Sequence, residues 1–280
     1  MKARSRRSAL FMPASNPRAV AKARDLACDV VILDLEDAVA PEAKPDARAA
    51  AVAAMASGFG DRERVIRINA LATEWGAADL DAMRGAAVDA VLLPKVDGPD
   101  DLVAARERLG PEGPALWAMV ETCAGLVALP AIAVAMRATR TTLLVAGTND
   151  LALDLRARPG ADRWPLVPAL SQIVAAARAG GGEALDGVLN AIDDPDRLAA
   201  ECAQGRALGF DGKTLIHPAQ IAAANTAFSL QADEIAEAHA IVAAFADPAA
   251  ANHGAIKVAG RMVERLHLAA AERVLALAPR

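Results

Sequence analysis

The chain has 280 residues, a formal net charge of −5 and a hydrophobic fraction of 54%, and it contains no tyrosine and three cysteines. Its length suits one barrel of roughly 250 residues with a short extension, or two ordinary domains. Its few aromatic and scattered basic residues argue against nucleic-acid binding. Its longest uncharged stretch, residues 122–136, is too short for a membrane span of about 20 residues. The three cysteines lack metal spacing and no long apolar region follows the basic N-terminus, which favours a reduced, cytoplasmic protein.

Eight short apolar runs recur along the chain, and each ends in polar or charged residues. They are rich in Val, Ile and Leu with little alternation, as is typical of strands buried on both faces of a parallel sheet. Stretches long enough for one helix separate them. In chain order the runs cover residues 9–12, 30–33, 65–66, 91–93, 116–120, 143–146, 187–189 and 213–216. This repetition predicts an α/β fold, a (β/α)8 TIM barrel, with its active site at the carboxyl ends of the strands.

Capping signals place helices between these runs. Proline next to Ser, Asn or Asp opens most of them, as is typical of a first helical turn, and glycine closes several. The predicted helices cover residues 18–28, 46–57, 99–109, 165–180 and 196–208. The alternative architecture, an open doubly wound sheet, loses its main support because no Gly-x-Gly-x-x-Gly follows the first strand.

The chain continues beyond the eighth run. We assign residues 1–225 to the barrel and residues 226–280 to a C-terminal helical extension, with helices over 233–245 and 261–277. Because a minimal barrel does not need this extension, we expect it to act as a cap or to reach a neighbouring subunit.

Two acids, Glu121 and Asp150, follow the fifth and sixth runs. Adjacent strands of a barrel lie about 4.8 Å apart, so two carboxylates at the same depth can share one cation. A set of few carboxylates with oxygen ligands only suits Mg²⁺, with Mn²⁺ as a substitute. Either acid alone would more simply cap the helix that follows it, but the pair on neighbouring strand ends predicts a metal site.

Three acids, Asp34, Glu36 and Asp37, stand together at the end of the second run. Acids at a buried strand end are costly unless they are paired or linked to a metal. Strand alternation predicts that Asp34 and Glu36 face one way and that Asp37 faces the other. We expect Glu36 and Asp37 to hold metal-bound waters and to orient ligands. The alternative is an ion pair with Lys95 or Arg67 that stabilises the fold.

Two basic residues, Arg67 and Lys95, follow the third and fourth runs. Arg67 could bind a substrate carboxylate or stabilise an enolate oxygen, or it could simply pair with Glu36. Lys95 could form a Schiff base with a carbonyl substrate. Neighbouring carboxylates keep an amine protonated, however, so we expect Lys95 to act electrostatically beside the metal ligands.

Short motifs follow one another in an order known from one enzyme family, and they extend over almost the whole chain. The motifs are residues 7–13, 34–39, 67–69, 93–96, 121–122, 147–151, 209–213 and 216–221. Each is weak alone, but in this order they resemble the citrate lyase β-subunit-like CoA-ester lyases of the HpcH/HpaI aldolase superfamily.

The resemblance implies a (β/α)8 barrel that forms homotrimers or homohexamers, with Mg²⁺ held by Glu121 and Asp150. It implies that Arg67 and Glu121 contact the substrate, and we count Arg67, Glu36 and Asp37 among the catalytic residues. The implied reaction is reversible carbon–carbon cleavage of a 3-hydroxyacyl-CoA of the malyl or citramalyl type. Its products would be acetyl-CoA and a 2-oxo acid.

One position departs from the family pattern. Relatives often carry an Asp near the C-terminus as an acid/base group supplied by a neighbouring subunit, and the corresponding position here is Glu264. Glu264 would either do the same work from a shifted position or be an ordinary exposed helix residue.

Three other functions stay open from the sequence. One is a class II pyruvate aldolase that acts on free hydroxy-oxo-acids, although the catalytic His usual near the second-strand acids is absent. The second is a citrate lyase β-type subunit that acts on an acyl-carrier-bound substrate. The third is a malyl-CoA thioesterase.

Overall fold

The computed structural model of the protein describes residues 4–247 and 253–278. The chain divides into a compact unit of Arg6–Phe228 and a C-terminal unit from Ser229 onward. The role of residues 226–280 as a cap or intersubunit element stays a prediction. None of the described helices combines the length and apolar character needed to cross a bilayer.

Eight parallel strands form a closed barrel in the larger unit. The strands are β1 (Ser8–Pro13), β2 (Val30–Asp34), β3 (Glu63–Arg67), β4 (Ala90–Leu93), β5 (Ala115–Val120), β6 (Thr141–Ala146), β7 (Glu183–Asp186) and β8 (Gly212–Leu215). The sheet closes where β8 pairs with β1, with Ser8 opposite Lys213. The predicted TIM-barrel fold is therefore confirmed.

Helices follow the strands around the barrel. They are α1 (Pro17–Ala23), α2 (Lys44–Ala56), α3 (Gly76–Met83), α4 (Pro99–Leu109), α5 (Cys123–Thr139), α6 (Thr148–Asp154), α7 (Val167–Gly180), α8 (Pro195–Leu208) and α9 (Ile221–Phe228). The first helix is shorter than predicted. It ends at Ala23 because the amides of Arg24 and Asp25 bond three residues back and tighten the chain into turns.

The seventh strand lies earlier than predicted. The sequence placed it at residues 187–189, but β7 ends at Asp186, and Leu185 pairs with Val145 of β6 and Gly212 of β8. The apolar run after β7 is a loop, and its Leu189 is buried in the core between the strands and the helices. A buried loop segment carries the same apolar signature as a short strand, which is why the pattern misled.

The C-terminal unit contains two helices and a hairpin. They are α10 (Ala232–Ala246), β9 (Ala255–Val258), β10 (Arg261–Glu264) and α11 (Arg265–Leu277). The helix predicted from residue 261 therefore begins at Arg265. Ala259 and Gly260 both adopt positive φ, 46° and 85°, as a two-residue hairpin turn requires, and β10 pairs antiparallel with β9.

Strand alternation divides the apolar core into an inner and an outer layer. Val30 and Ile32 of β2 fill the barrel interior, whereas Val31 and Leu33 pack outward among the helices. The same two-residue period continues toward the carboxyl ends of the strands. There the inward positions are Asp34 of β2, Arg67 of β3, Glu121 after β5 and Gly147 after β6. The interior therefore changes from apolar to charged at this mouth of the barrel.

A buried ion cluster joins β7, β8 and α8 on the outside of the barrel. Asp186 accepts hydrogen bonds from Arg163 at 2.8 and 2.9 Å and from Lys213 at 3.1 Å. Glu201 lies 3.2 Å from the Lys213 ammonium. All four side chains are almost completely buried. Removing one member of such a cluster leaves uncompensated charge in a medium of low polarity.

We expect Asp186→Ala to lower the free energy of unfolding by about 3–5 kcal/mol, because Arg163 and Lys213 would stay buried without their shared carboxylate. Urea unfolding followed by circular dichroism measures this. Asp81→Ala is the matched control, since Asp81 pairs with Arg108 on the surface and should leave stability nearly unchanged. Equal stabilities for the two variants would contradict the assigned role of the cluster.

Candidate active site

A cavity of about 360 Å³ opens at the carboxyl ends of the barrel strands. Four of the residues predicted from the sequence line it together: Asp37, Arg67, Glu121 and Asp150. The remaining walls come mainly from β1, from the carboxyl end of β8, and from the loops after β2, β6 and β7. Charged side chains that lie far apart in the sequence are therefore brought to one concave surface, as expected for this face of a barrel.

Arg67 is the centre of the acidic half of the cavity. Its Nε and Nη2 donate to the two carboxylate oxygens of Asp34, each at 2.7 Å. Its Nη1 lies 2.9 Å from Glu36 Oε2, and its Nη2 lies 3.3 Å from Asp37 Oδ2. The guanidinium also lies over the Phe11 ring, 4.9 Å from its centroid. The alternative of pairing with Glu36 is thus observed, and contact with a substrate stays a prediction.

Strand register produces the central ion pair. Asp34 and Arg67 lie directly opposite each other on β2 and β3, and both point into the barrel. Asp34 also accepts hydrogen bonds from the amides of Glu36 and Ala38, at 2.9 and 3.1 Å. One carboxylate therefore holds both the arginine and the turn that carries the other two acids.

The expected direction of Asp37 is wrong. Alternation predicted that Asp37 faces away from Asp34, but both carboxylates contact Arg67 and both line the cavity. The reason is that β2 ends at Asp34 and the chain turns over the next residues. Alternation of side chains holds only while the chain stays extended.

Lys44, which was not predicted as a site residue, stabilises the turn that follows β2. It is buried, and its Nζ donates to the carbonyls of Leu35 and Glu36, at 3.0 and 2.8 Å, and to Asn69 Oδ1 at 2.5 Å. The ammonium also lies over the Trp75 ring, 5.0 Å from its centroid. Lys44 therefore ties the acid-bearing turn after β2 to the end of β3.

Asn69, which accepts a hydrogen bond from Lys44, is itself held by the carboxylate of Asp79. Asn69 donates to Asp79 through its side chain at 2.7 Å and through its backbone at 2.8 Å, and Asp79 also accepts from Arg48 at 2.6 Å. Asn69 belongs to the motif of residues 67–69, so the sequence offered a signal for its place near the site. The partners Lys44 and Asp79 lie on helices and carry no local sequence signal.

Lys95 connects the two predicted metal ligands, Glu121 and Asp150, which line the cavity, although Lys95 itself is not among the lining residues. Its backbone N–H donates to Glu121 Oε1 at 2.7 Å. Its ammonium contacts the Asp150 carboxylate and lies 4.0 Å from Glu121 Oε1. Glu121 is almost completely buried, whereas Lys95 and Asp150 are partly exposed. The structure therefore brings the predicted pair of carboxylates around one positive charge.

Asp150 does not lie at a strand end. It stands in the first turn of α6, after β6 has ended at Ala146. The loop still reaches Glu121 because Gly147 lies between: an added Cβ there would meet Glu121 Cβ at 2.3 Å and Oε2 at 2.6 Å. Only a residue without a side chain lets the end of β6 approach so closely.

The donor set fits a divalent ion of the magnesium type. It consists of two carboxylates with room for water or substrate oxygens, and a cation already lies between them. In residues 4–247 and 253–278, no group of three or more His, Cys, Asp or Glu side chains is gathered as a metal site. A site with two protein ligands is the arrangement that Mg²⁺ commonly uses beside a substrate.

Burial strongly perturbs two carboxyl groups of the cavity. Desolvation raises the pKa of Glu36 to about 8, against the opposing charge of Arg67 and with the help of Asp37 and Glu121. Desolvation likewise raises the pKa of Glu121 to about 7, and Lys95 opposes it. Although Glu36 Oε2 lies close to Arg67, it accepts no hydrogen bond from the described residues. Both groups therefore hold protons readily and would gain from an added cation.

Glu264 belongs to the C-terminal unit. It is exposed, precedes α11, and its backbone amide donates to His267 Nδ1 at 2.9 Å. Its role as an acid/base group stays a prediction.

Comparison with known proteins bears on the same residues. The family model for HpcH/HpaI aldolase/citrate lyase matches residues 7–218, a range that contains every cavity residue discussed above. The chain belongs to the HpcH/HpaI aldolase/citrate lyase family. A second model, described as a C–C bond lyase of the TIM-barrel fold, matches residues 162–279. The resemblance drawn from the motifs is thereby confirmed.

Similar family members carry more than one description. A (3S)-malyl-CoA thioesterase of Cereibacter sphaeroides is 45% identical over 97% of this chain and 94% of its own length. The citrate lyase subunit beta of Escherichia coli is 31% identical over 94% of this chain and 90% of its own.

A solved family member carries the cofactor that was expected. The structure of CitE from Mycobacterium tuberculosis in complex with magnesium, acetoacetate and coenzyme A aligns with a TM-score of 0.77 at 34% identity, over 98% of each chain. The expectation of magnesium is confirmed for this family.

The raised carboxyl pKa values predict how stability depends on pH. Between the ordinary glutamate value of 4.5 and about 7, folded Glu121 binds more protons than unfolded Glu121. Its stabilising contribution is therefore present below about pH 4.5 and is lost as the pH rises toward about 7. The glutamine of Glu121→Gln cannot ionise. Over this pH range the variant should therefore lose less unfolding free energy than the wild type, with a difference on the order of 2–3 kcal/mol.

The measurement is urea unfolding of metal-free protein with a chelator present, at about pH 5 and about pH 8. Glu42→Gln on the surface is the control and should follow the wild-type profile. A Glu121→Gln profile as steep as that of the wild type would contradict the buried, proton-binding state of Glu121.

Proposed function

We propose that the chain is a magnesium-dependent enzyme that hydrolyses the thioester of a 3-hydroxyacyl-CoA of the malyl type, releasing the free hydroxy acid and CoA. The observation that carries this proposal is the 45% identity, over nearly the full length of both chains, to a (3S)-malyl-CoA thioesterase. The chain's identity to the citrate lyase subunit is lower, at 31%.

The cavity supplies the groups that this chemistry needs. Glu121 and Asp150 would hold the ion, which when bound polarises a substrate oxygen. Arg67 lies on the cavity wall, where it stabilises negative charge that develops on the thioester oxygen or on a substrate carboxylate. Asp37, exposed at the mouth and held 3.3 Å from Arg67, accepts the proton of the attacking water. Glu36, buried beside it, orients the same water.

A second reaction, carbon–carbon cleavage to acetyl-CoA and a 2-oxo acid, is supported by the family assignment. The second matching model describes a C–C bond lyase, and the solved CitE holds acetoacetate, magnesium and coenzyme A together. In this reaction a carboxylate, for which we propose Glu264, removes the hydroxyl proton, and the bond between the hydroxyl carbon and the thioester α-carbon breaks. Arg67 offsets the charge of the resulting thioester enolate, which then takes up a proton to become acetyl-CoA. Assembly as a homotrimer or homohexamer is part of this proposal, because Glu264 would come from a neighbouring subunit.

Product analysis separates the two reactions. With malyl-CoA and Mg²⁺, we expect the purified protein to release free thiol and malate in equal amounts without glyoxylate. Thiol is measured with a chromogenic disulfide, and malate, glyoxylate and acetyl-CoA are measured by chromatography. Formation of glyoxylate and acetyl-CoA instead would establish the cleavage reaction, and an inert CoA ester would contradict both proposals.

Removal of either predicted ligand should abolish metal-dependent turnover. We expect Glu121→Ala and Asp150→Ala to lower kcat/KM by about 10³-fold or more, because each removes a ligand of the ion that stabilises charge in the reaction. Glu112→Ala, an exposed acid on the loop after α4, is the control and should keep full activity. Wild-type rates from either ligand variant would contradict this site.

A further inference from the structure

Lys95 lies where a cation is needed. In the described part of the chain, its ammonium is the positive group that contacts the Asp150 carboxylate and lies within 4.0 Å of Glu121. Arg67 is not free to replace it, since Asp34, Glu36 and Asp37 already surround that guanidinium. Among the described residues, Lys95 is therefore the cation in contact with the two predicted ligands, and Arg67 acts on Glu121 only as a more distant charge.

The backbone directs Lys95 toward this position. Lys95 has a φ of 49°, a left-handed conformation that costs free energy for a residue other than glycine. Its amide N–H donates to Glu121 Oε1 at 2.7 Å, so the strained turn is held by the same carboxylate that its ammonium approaches. The hydrogen bond from the Lys95 backbone N–H to Glu121 can stay in place when the side chain moves, because it does not involve the ammonium group.

Exposure differs between the partners. The Lys95 side chain is 41% exposed and that of Asp150 is 39% exposed, whereas that of Glu121 is only 5% exposed. Lys95 can therefore swing into water at little cost. Glu121 cannot be solvated in the same way, so its carboxylate depends on a nearby cation for electrostatic stabilisation.

We propose that Lys95 is a resident counterion which the divalent ion must displace. In this role Lys95 stabilises the metal-free enzyme and weakens metal binding, so that it sets the concentration of Mg²⁺ at which the site fills. The inference rests on the proposed function, because it assumes that Glu121 and Asp150 are the metal ligands.

The test is Mg²⁺ binding measured by isothermal titration calorimetry on chelator-treated full-length protein. Lys95→Met keeps the length of the side chain without its charge. We expect it to bind Mg²⁺ about ten-fold more tightly or better than the wild type, because no ammonium competes for the carboxylates. Its melting temperature without metal should fall, and its increase on adding Mg²⁺ should exceed that of the wild type.

Two further variants serve as controls. Lys95→Arg keeps the positive charge and should retain an affinity close to that of the wild type. Lys22→Met removes the same charge from the exposed face of α1 and should change neither affinity nor melting temperature. If Lys95→Met folds only when Mg²⁺ is added, that result also supports the proposal, since the metal would replace the missing counterion.

The outcomes distinguish this inference from the proposed function. If the wild type binds Mg²⁺ and Lys95→Met binds it equally or more weakly, the counterion role is wrong while the metal site stands. If none of the variants binds Mg²⁺, the metal assignment fails and the counterion role fails with it.

Discussion

The ion pair between Asp34 and Arg67 is the interaction on which the mouth of the barrel depends. Register places the two residues opposite each other on β2 and β3, so the pair forms wherever these strands pair as they do here. Asp34 then fixes the turn that follows it, and Arg67 holds the two acids that this turn carries. A buried arginine with three carboxylate neighbours is stable because its charge is compensated on several sides. Glu36 is the exception, because burial raises its pKa to about 8 even though Arg67 lies beside it.

The repetition of apolar runs was enough to predict the barrel, because a closed parallel sheet buries both faces of every strand. The prediction was wrong where an apolar run was buried for a reason other than strand pairing. In residues 187–189, Leu189 packs on the core and Val188 lines the cavity. The strand itself, Glu183–Asp186, has charged ends that pair with Arg6 and Lys213. The start of the last helix was misplaced for a similar reason, since Arg261–Glu264 pairs within a hairpin whose turn is visible only from its φ angles.

The candidate site was predictable in its members but not in its connections. Glu121, Asp150, Arg67 and Asp37 line one cavity, as their positions after the predicted strands suggested. The direction of Asp37 and the helical position of Asp150 depend on where the strands end, which alternation cannot tell. Lys44 was missed because its hydrogen bonds reach carbonyl groups and an amide from other elements. Supporting residues of this kind acquire their function only from the fold that surrounds them.

The charged residues around the cavity carry more negative than positive charge, and this imbalance links their roles. Five carboxylates, from Asp34, Glu36, Asp37, Glu121 and Asp150, face two cations, Arg67 and Lys95. Burial raises the pKa of Glu36 and of Glu121, and the neighbouring carboxylates add to that rise. A divalent ion held by Glu121 and Asp150 would reduce this excess of negative charge, and it would release the Lys95 ammonium toward an anionic substrate. The acidic site can therefore bind two partners in sequence: first a metal ion, and then a substrate whose negative charge the released Lys95 ammonium can meet.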